Sequence, residues 1–262
     1  MMEIEDRLGL AIDIAREAGW IAMEYFGSAD LHVDRKADDS PVTAADRRAE
    51  EHLRHRISET FPDDSILGEE LPDRTGHNPF RWILDPIDGT KSFIHGIPLF
   101  GTLVGLEYED RPVLGVIRIP ATEECVYASR GEGAWYTRGD APPRPAHVSS
   151  CEKLAEGLFL TSEIRLWWGI GQDAAFSRLQ GAARLVRTWG DCYGYMLVAT
   201  GRADLMIDPQ MAVWDAAPLL PILEEAGGTF TDWQGAPTIR GGNGIGTNGF
   251  ILREALDLIR GD

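Results

Sequence analysis

The apolar positions at the start of the chain recur at helical spacing. Leu8, Ala11, Ile12, Ala15, Trp20 and Ile21 define one face of a segment from Ile4 to Tyr25, and Gly27 follows as a stop. Residues 34–41 are polar and rich in turn formers, which predicts a mobile loop. Thr43 then opens a second helix, with Asp46, Ala49, Leu53 and Ile57 spaced along it, and Pro62-Asp63-Asp64 ends it. From there the apolar runs shorten. Ser65-Ile66-Leu67 leads into Gly68-Glu69-Glu70, and Arg81-Trp82-Ile83-Leu84 has the run of a buried strand. The runs at 102–106, 113–117 and 124–127 predict an antiparallel meander. Residues 138–147 carry three prolines and Gly-Asp, which predicts a surface loop. The second half alternates short strands and helices. One helix is expected over Asp191–Thr200, ended by Gly201, and another over Asp215–Ala226, ended by Gly227-Gly228. The glycine-rich stretch 243–249 fits a tight strand–helix turn better than a phosphate motif, and Phe250–Ile259 closes the chain as a helix. Strands and helices without strict βαβ order point to an α+β or layered α/β fold.

Composition narrows the class. The chain has 262 residues, 44% of them hydrophobic and 26% charged, as expected of a globular protein of one large domain or two joined lobes. No apolar stretch approaches the ~20 residues of a membrane span, so no membrane association is expected. The start lacks a basic segment followed by an apolar one, and Cys125, Cys151 and Cys192 are scattered without metal-ligand spacing. Reduced thiols in a cytoplasmic protein are the expectation. The net charge of −17 argues against nucleic acid as a partner. Acidity serves solubility, and a negative field also suits divalent metals and a substrate carrying positive charge.

The chemistry concentrates in Asp85-Pro86-Ile87-Asp88-Gly89-Thr90-Lys91-Ser92-Phe93. Two carboxylates three apart follow an apolar strand and lead into Gly-Thr, whose backbone can present free N–H groups. Such a segment can hold hard cations and a phosphate together. Glu69 also follows an apolar run, and Asp215 in Trp214-Asp215-Ala216-Ala217 opens a helix. Any one of these acids alone is explained by a helix cap or by solvation. Glu69, Asp85, Asp88 and Asp215 together are not, because four converged carboxylates repel unless a divalent cation offsets them.

These segments, in this order, resemble the inositol monophosphatase superfamily of Mg-dependent, lithium-sensitive phosphatases. The resemblance runs from the first helix to the last. It implies an αβαβα sandwich, with an N-terminal metal- and phosphate-binding lobe over 1–149 and a smaller lobe over 150–262. It implies that Glu69, Asp85 and the Ile87 carbonyl hold one Mg²⁺, that Asp85, Asp88 and Asp215 hold a second, and that a third, weaker ion sits beyond Glu69. Mn²⁺ is expected to substitute. Two such ions clamp an in-line displacement at phosphorus. Gly89 and Thr90 bind the phosphate. The Thr90 hydroxyl, paired with the acid Asp46, orients the attacking water, with Glu69 as the further catalytic acid. Lys36 matches a segment that closes over the metals, and relatives are commonly homodimers.

Several neighbours keep two readings. Glu70 either orients Glu69 or is solvated. Lys91 either adds charge at the phosphate or faces solvent. His95 invites a general-base role, but a metal-activated water makes a structural role the better reading. Trp167 and Trp168 either wall the pocket or pack the surface.

The resemblance implies a small phosphate ester as substrate. The stretch Lys91-Ser92-Phe93-Ile94-His95-Gly96-Ile97-Pro98 and the block from Arg187 to Tyr195 resemble the histidinol-phosphate phosphatases of this superfamily. Asp208 stands where inositol phosphatases typically have glutamate, and a shorter acid leaves room for a different alcohol. Arg187, Asp191 and Asp208 are thus the candidate substrate contacts. The Asp191 carboxylate would receive a substrate ammonium, and a helix N-cap explains it equally well. An inositol monophosphatase or a broad sugar or nucleotide phosphatase is the alternative within the class. A binding partner in a transcription complex is the alternative outside it, and the intact metal set argues against it.

Overall fold

The computed structural model describes residues 2–28, 32–35 and 41–261. The expected closing segment around Lys36 lies outside them. Helix α1 spans Met2–Tyr25, and Val33–Arg35 (β1) pairs antiparallel with Pro41–Thr43 (β2), so the ends of the expected 34–41 loop are strand. Helix α2, Ala44–Thr60, starts where the sequence placed it. Thr43 caps it, accepting from the Ala45 N–H at 3.1 Å, and Asp46 closes the box by accepting from the Thr43 N–H at 2.8 Å.

Seven strands follow in one sheet: β3 (Ser65–Gly68), β4 (Phe80–Asp88), β5 (Gly101–Tyr108), β6 (Arg111–Ile119), β7 (Glu124–Ser129), β8 (Ala134–Arg138) and β9 (Arg144–Pro145). Between β4 and β5 lies the short helix α3, Thr90–Ile94. Strand β3 runs parallel to β4, and the rest is the expected antiparallel meander. The expected 138–147 loop contains β9, which pairs with β8 through Trp135 and Tyr136.

A second sheet has the order β11-β10-β12-β14-β13, from β10 (Leu158–Leu160), β11 (Leu185–Arg187), β12 (Leu205–Asp208), β13 (Thr229–Thr231) and β14 (Gly244–Thr247). The glycine-rich stretch holds strand β14, whose glycines pass close to Tyr195 and Phe230, and then the expected turn into the last helix. Helices α4 (Ile164–Gly169) and α5 (Asp173–Ala182) follow β10, and α6 (Asp191–Ala199) follows β11. The helix expected over 215–226 is two, α7 (Val213–Ala216) and α8 (Leu219–Glu225), with Ala217-Pro218 between them. Pro218 supplies no N–H to continue the first. Helix α9, Leu252–Arg260, ends the fold. No helix among the described residues is long and apolar enough to cross a membrane.

Strand alternation sets the layers. Trp82, Leu84, Val104, Leu106, Leu114 and Val116 face Ala11, Ile14, Ala18, Leu53 and Ile57 of α1 and α2. Ile83, Leu103, Ile117 and Val126 face the other way, onto Met196, Leu220 and Leu223 of α6 and α8. Those helices also pack on β12, β13 and β14. The far face of the second sheet buries Phe159, Leu205 and Ile245 against Trp167, Phe176, Ala255 and Ile259. The result is an αβαβα sandwich. Glu107 of β5 is 1% exposed and accepts both terminal nitrogens of Arg240, at 2.6 and 2.8 Å, which ties the first sheet to the segment before β14.

The middle helices approach the first sheet so closely that two strand positions must be glycine. A Cβ on Gly115 would lie 2.1 Å from the Pro218 carbonyl oxygen, and one on Gly105 would lie 2.8 Å from the Ala217 Cβ. This contact seats α7, which carries Asp215. Gly9, on the exposed face of α1, has open space around it. Gly9→Ala should therefore stabilise the protein by about 0.4–1 kcal/mol. Gly115→Ala should destabilise it by about 1–3 kcal/mol and weaken divalent-metal binding as α7 shifts. Urea unfolding with a metal titration reads both, and equal effects from the two substitutions would refute the close-approach account.

Candidate active site

Two acids three apart on a regular strand would point to opposite faces. Strand β4 avoids this. Its pairing with β5 shifts register between Asp85 and Asp88, at Pro86-Ile87, so the strand bulges there. The bulge is fixed on each side. The Pro86 carbonyl accepts from the Thr102 hydroxyl at 2.9 Å, and the Ile87 N–H donates to Asp85 Oδ1 at 3.0 Å. The Ile87 side chain is fully buried among Ala22, Ala45, Phe93 and Phe100. Asp85, Asp88 and Asp215 then converge, with one carboxylate oxygen from each lying within 4.8 Å of the others.

Backbone donors hold the acids in place. Asp88 Oδ2 accepts from the Cys192 N–H at 2.6 Å, and Asp215 Oδ2 accepts from the Ala212 N–H at 2.7 Å. Glu69 continues the parallel β3–β4 pairing, its N–H donating to the Leu84 carbonyl at 3.2 Å, which brings it beside Asp85. Its loop is held by a residue that the sequence reading missed. Glu50 of α2 is fully buried and accepts from the Glu70 and Leu71 N–H groups at 2.7 and 3.2 Å and from Arg54 Nε at 2.7 Å.

Electrostatics make the cluster costly without a counter-charge. Burial pushes Asp85 well above the usual carboxylate range, and Glu69, Asp88 and Asp215 add to the rise. Burial does the same to Asp88, with Asp191 and Asp215 adding to it. Asp215 is raised to about 7, mainly by burial. Asp46 is raised by burial too, against the hydrogen bonds from Thr43, and its Oδ1 is buried without a partner. An all-oxygen donor set of crowded, buried acids fits a hard divalent cation. No hydrogen bond joins Thr90 to Asp46, since the Thr90 hydroxyl donates to the Ile87 carbonyl at 3.1 Å.

A cavity of about 600 Å³ opens over these acids, between the end of β4 and the starts of α6 and α7. On one side are Gly89 and Thr90, with Gly89 in the left-handed region at φ 78°. A Cβ there would lie 3.0 Å from Asp191 Oδ2 and 3.1 Å from the Leu99 carbonyl oxygen. On the other side are Asp191, Asp208, Ser162 and Glu163. Asp191 is the first residue of α6, not its cap, and sits at φ 54°. Its N–H donates to the Ser162 hydroxyl at 2.8 Å. Asp208 is 6% exposed, accepts from the Ser162 N–H at 3.2 Å, and is pushed up to about 7, chiefly by burial. Tyr195, fully buried beside it, leaves its hydroxyl without a partner at hydrogen-bonding geometry.

Arg187 does not join them. It is exposed, donates to the adjacent Val186 carbonyl at 2.7 Å, and lies at the edge strand β11, outside the cavity lining. His95 is likewise exposed, with Nδ1 2.8 Å from the Lys91 carbonyl. Trp167 belongs to the core, stacked on Trp233 at 5.1 Å, and Trp168 is half-exposed, so neither walls the cavity. Ser162 and Glu163 had a legible signal. They follow the apolar run Leu158-Phe159-Leu160, as Glu69 follows its own.

The model of the inositol monophosphatase family matches residues 3–259. The chain is 44% identical to a histidinol-phosphatase of Chlorobaculum parvum, over 91% of this chain and 90% of that one. It is 37% identical to a histidinol-phosphatase of Mycobacterium tuberculosis, over 96% of each. The solved structure of the extragenic suppressor protein suhB from Bartonella henselae superposes with a TM-score of 0.90 at 28% identity, over 97% of this chain and 98% of that one.

Asp208 and Asp215 titrate near 7 in the folded chain and near 4 when unfolded. Between these values the folded chain binds more protons than the unfolded one, so its stability falls as pH rises through that window. Metal-free protein should therefore melt at progressively lower temperature from about pH 5 to about pH 7.5. Millimolar Mg²⁺ should raise the melting temperature most at the upper end, Mn²⁺ should act at lower concentration, and monovalent salt at matched ionic strength should not substitute. Thermal melts in chelator and in metal across that range check this. A flat profile that metal does not lift would refute a carboxylate cluster under repulsion.

Proposed function

The chain belongs to the inositol monophosphatase family, metal-dependent hydrolases of phosphate monoesters, and on that premise we propose that it is a Mg²⁺-dependent histidinol-phosphate phosphatase. The reaction is L-histidinol phosphate plus water to L-histidinol and phosphate. The observation that carries the choice of substrate is the pairing, in one cavity, of the Gly89–Thr90 loop with the buried acids Asp191 and Asp208. Histidinol phosphate carries a phosphate at one end, and an ammonium with a partly protonated imidazole at the other. Inositol phosphate offers that wall only neutral hydroxyls.

We assign Glu69, Asp85, the Ile87 carbonyl, Asp88 and Asp215 as the residues that hold Mg²⁺. When bound, Mg²⁺ lowers the pKa of a water and offsets charge on the phosphate oxygens. The other steps belong to side chains and backbone. Gly89 and Thr90 present N–H groups to the phosphate, at a backbone turn that only glycine enters without strain. We assign Asp46 Oδ1, buried and unpartnered, as the acceptor to which the Thr90 hydroxyl would turn from the Ile87 carbonyl when the site is loaded. Thr90 Oγ1 is then free to accept from the attacking water and aim it. Asp191 and Asp208 receive the cationic end of the alcohol, and Ser162 fixes both acids. Arg187 has no part in this assignment. The two lobes are assigned to 1–149 and 150–262, the division falling between the last strand of one sheet and the first of the other.

Asp88→Asn keeps the shape of the side chain but removes a ligand charge, and it should lower kcat by roughly a thousandfold or more at saturating Mg²⁺. Rates within tenfold of the parent would refute the ligand assignment. Asp191→Asn tests the alcohol side. Asparagine tolerates the left-handed backbone that position 191 adopts, so the fold should be kept. A lost charge-assisted hydrogen bond should reduce kcat/KM for histidinol phosphate by about ten- to a hundredfold, with a much smaller loss on p-nitrophenyl phosphate. Parent enzyme that turns over inositol 1-phosphate faster than histidinol phosphate would overturn the substrate while sparing the phosphatase.

A further inference from the structure

The rim of the cavity carries an ion pair that the reading above leaves unused. Lys91, in the first turn of α3, directs its Nζ to the carboxylate of Glu163, just before α4. The pair is far apart in sequence and bridges the phosphate side of the cavity to the alcohol side, and both residues line it. Neither is tied down by burial, with side-chain exposures of 67% for Lys91 and 36% for Glu163. An exposed pair of this kind contributes little to stability and can be exchanged at small cost.

The surroundings give the pair a purpose. Lys91 is the basic residue in the cavity lining, among Glu163, Asp191, Asp208 and the cluster acids. Its ammonium acts on Asp191 as well, opposing the repulsion from Glu163. It thus occupies the place where a cationic group of the substrate would be attracted. Deeper on the same wall, the fully buried Tyr195 hydroxyl lies beside Asp208.

We propose that Glu163, on the same wall as Asp191 and Asp208, is a further specificity residue for the substrate ammonium and that Lys91 is its internal placeholder, displaced on binding. This rests on the histidinol-phosphate reading. In the free protein the Lys91 ammonium satisfies Glu163. A substrate that carries both a phosphate and an ammonium exchanges the partners: its ammonium takes Glu163, and the released Lys91 turns to the phosphate bound at Gly89–Thr90. Charge is conserved at both ends, so the exchange leaves no carboxylate uncompensated. An ester without an ammonium offers Glu163 no partner in place of Lys91 and gains nothing from the exchange. The pair therefore favours a cationic alcohol over a neutral one.

The test uses Mg²⁺-loaded enzyme and three esters: histidinol phosphate, its analogue lacking the amino group, and p-nitrophenyl phosphate. Glu163→Gln should lower kcat/KM for histidinol phosphate by about ten- to a hundredfold, and at least tenfold more than for the deamino ester. The second readout has the opposite sign for the two variants. L-Histidinol, which has no phosphate, should inhibit p-nitrophenyl phosphate hydrolysis competitively. Lys91→Met removes its rival for Glu163 and should lower its inhibition constant by about three- to tenfold, whereas Glu163→Gln should raise it. Equal losses on the amino and deamino esters, or inhibition constants that move the same way in both variants, would overturn the exchange while leaving the phosphatase reading standing. Parent enzyme that fails to prefer histidinol phosphate to its deamino analogue would instead overturn the substrate reading, and the exchange with it.

Discussion

The constraint on which the molecule turns is the convergence of Asp85, Asp88 and Asp215 within 4.8 Å, with Glu69 beside them. Buried like charges at this separation oppose folding. Their positions are set by backbone on separate elements: the β4 bulge, the start of α6, the start of α7 and the β3–β4 register. No single element could supply the geometry. The cost falls on the rest of the fold, whose three apolar layers bury enough surface to carry it until a cation arrives. The tight seating of α7 on glycines of β5 and β6 follows from the same need, because Asp215 can reach β4 only if its helix lies against the sheet.

The sandwich also divides the labour. In the proposed assignment, residues of the first sheet and its flanking helices form the phosphate and metal end: Asp46, Glu69, Asp85, Asp88, Gly89 and Thr90. Residues after β10, at the start of α6 and at the end of β12 form the alcohol end: Ser162, Glu163, Asp191 and Asp208. Asp215 is the exception, a cluster acid delivered from the far side. A cleft between two such halves can change its alcohol by substitutions on the second half while its chemistry stays fixed on the first.

Much of this was legible in the sequence, for identifiable reasons. The helices at both ends, the α2 cap at Thr43 and the meander have strong local periodicity, and the structure has them. The cluster acids could be read because each follows an apolar strand or opens a helix. The misreadings share a cause. The helix expected over 215–226 breaks because Ala217-Pro218 must fit against Gly105 and Gly115, which lie about a hundred residues away in sequence. Within 243–249, residues 244–247 are strand because β12 and β13 flank them, and the expected turn to α9 follows from 248. Arg187 was named from the motif around it, and it lies exposed on the edge strand β11. Glu50 gave no signal, since an acid on a helix face is ordinarily solvated. Its role comes from the loop that folds over it.

The two halves of the cleft are not wholly independent, and the coupling runs through the first turn of α6. Asp191 lines the cavity, where it is assigned to the alcohol, and the next residue, Cys192, donates its N–H to Asp88 at 2.6 Å. Adjacent positions on one backbone thus serve specificity and the metal cluster. The left-handed conformation at Asp191 is what lets its carboxylate approach Gly89 while the following N–H turns to Asp88. A β-branched residue at position 191 would be strained there and would pull the Cys192 donor from a buried carboxylate. A change of substrate made at Asp191 must therefore keep that backbone, which restricts it to residues that tolerate positive φ. Glu163 carries no such burden: the helix it precedes has no cluster donor, and its partner Lys91 is exposed. In a fold that fixes its chemistry with buried acids, the rim is where the choice of alcohol can vary at least cost to the cluster.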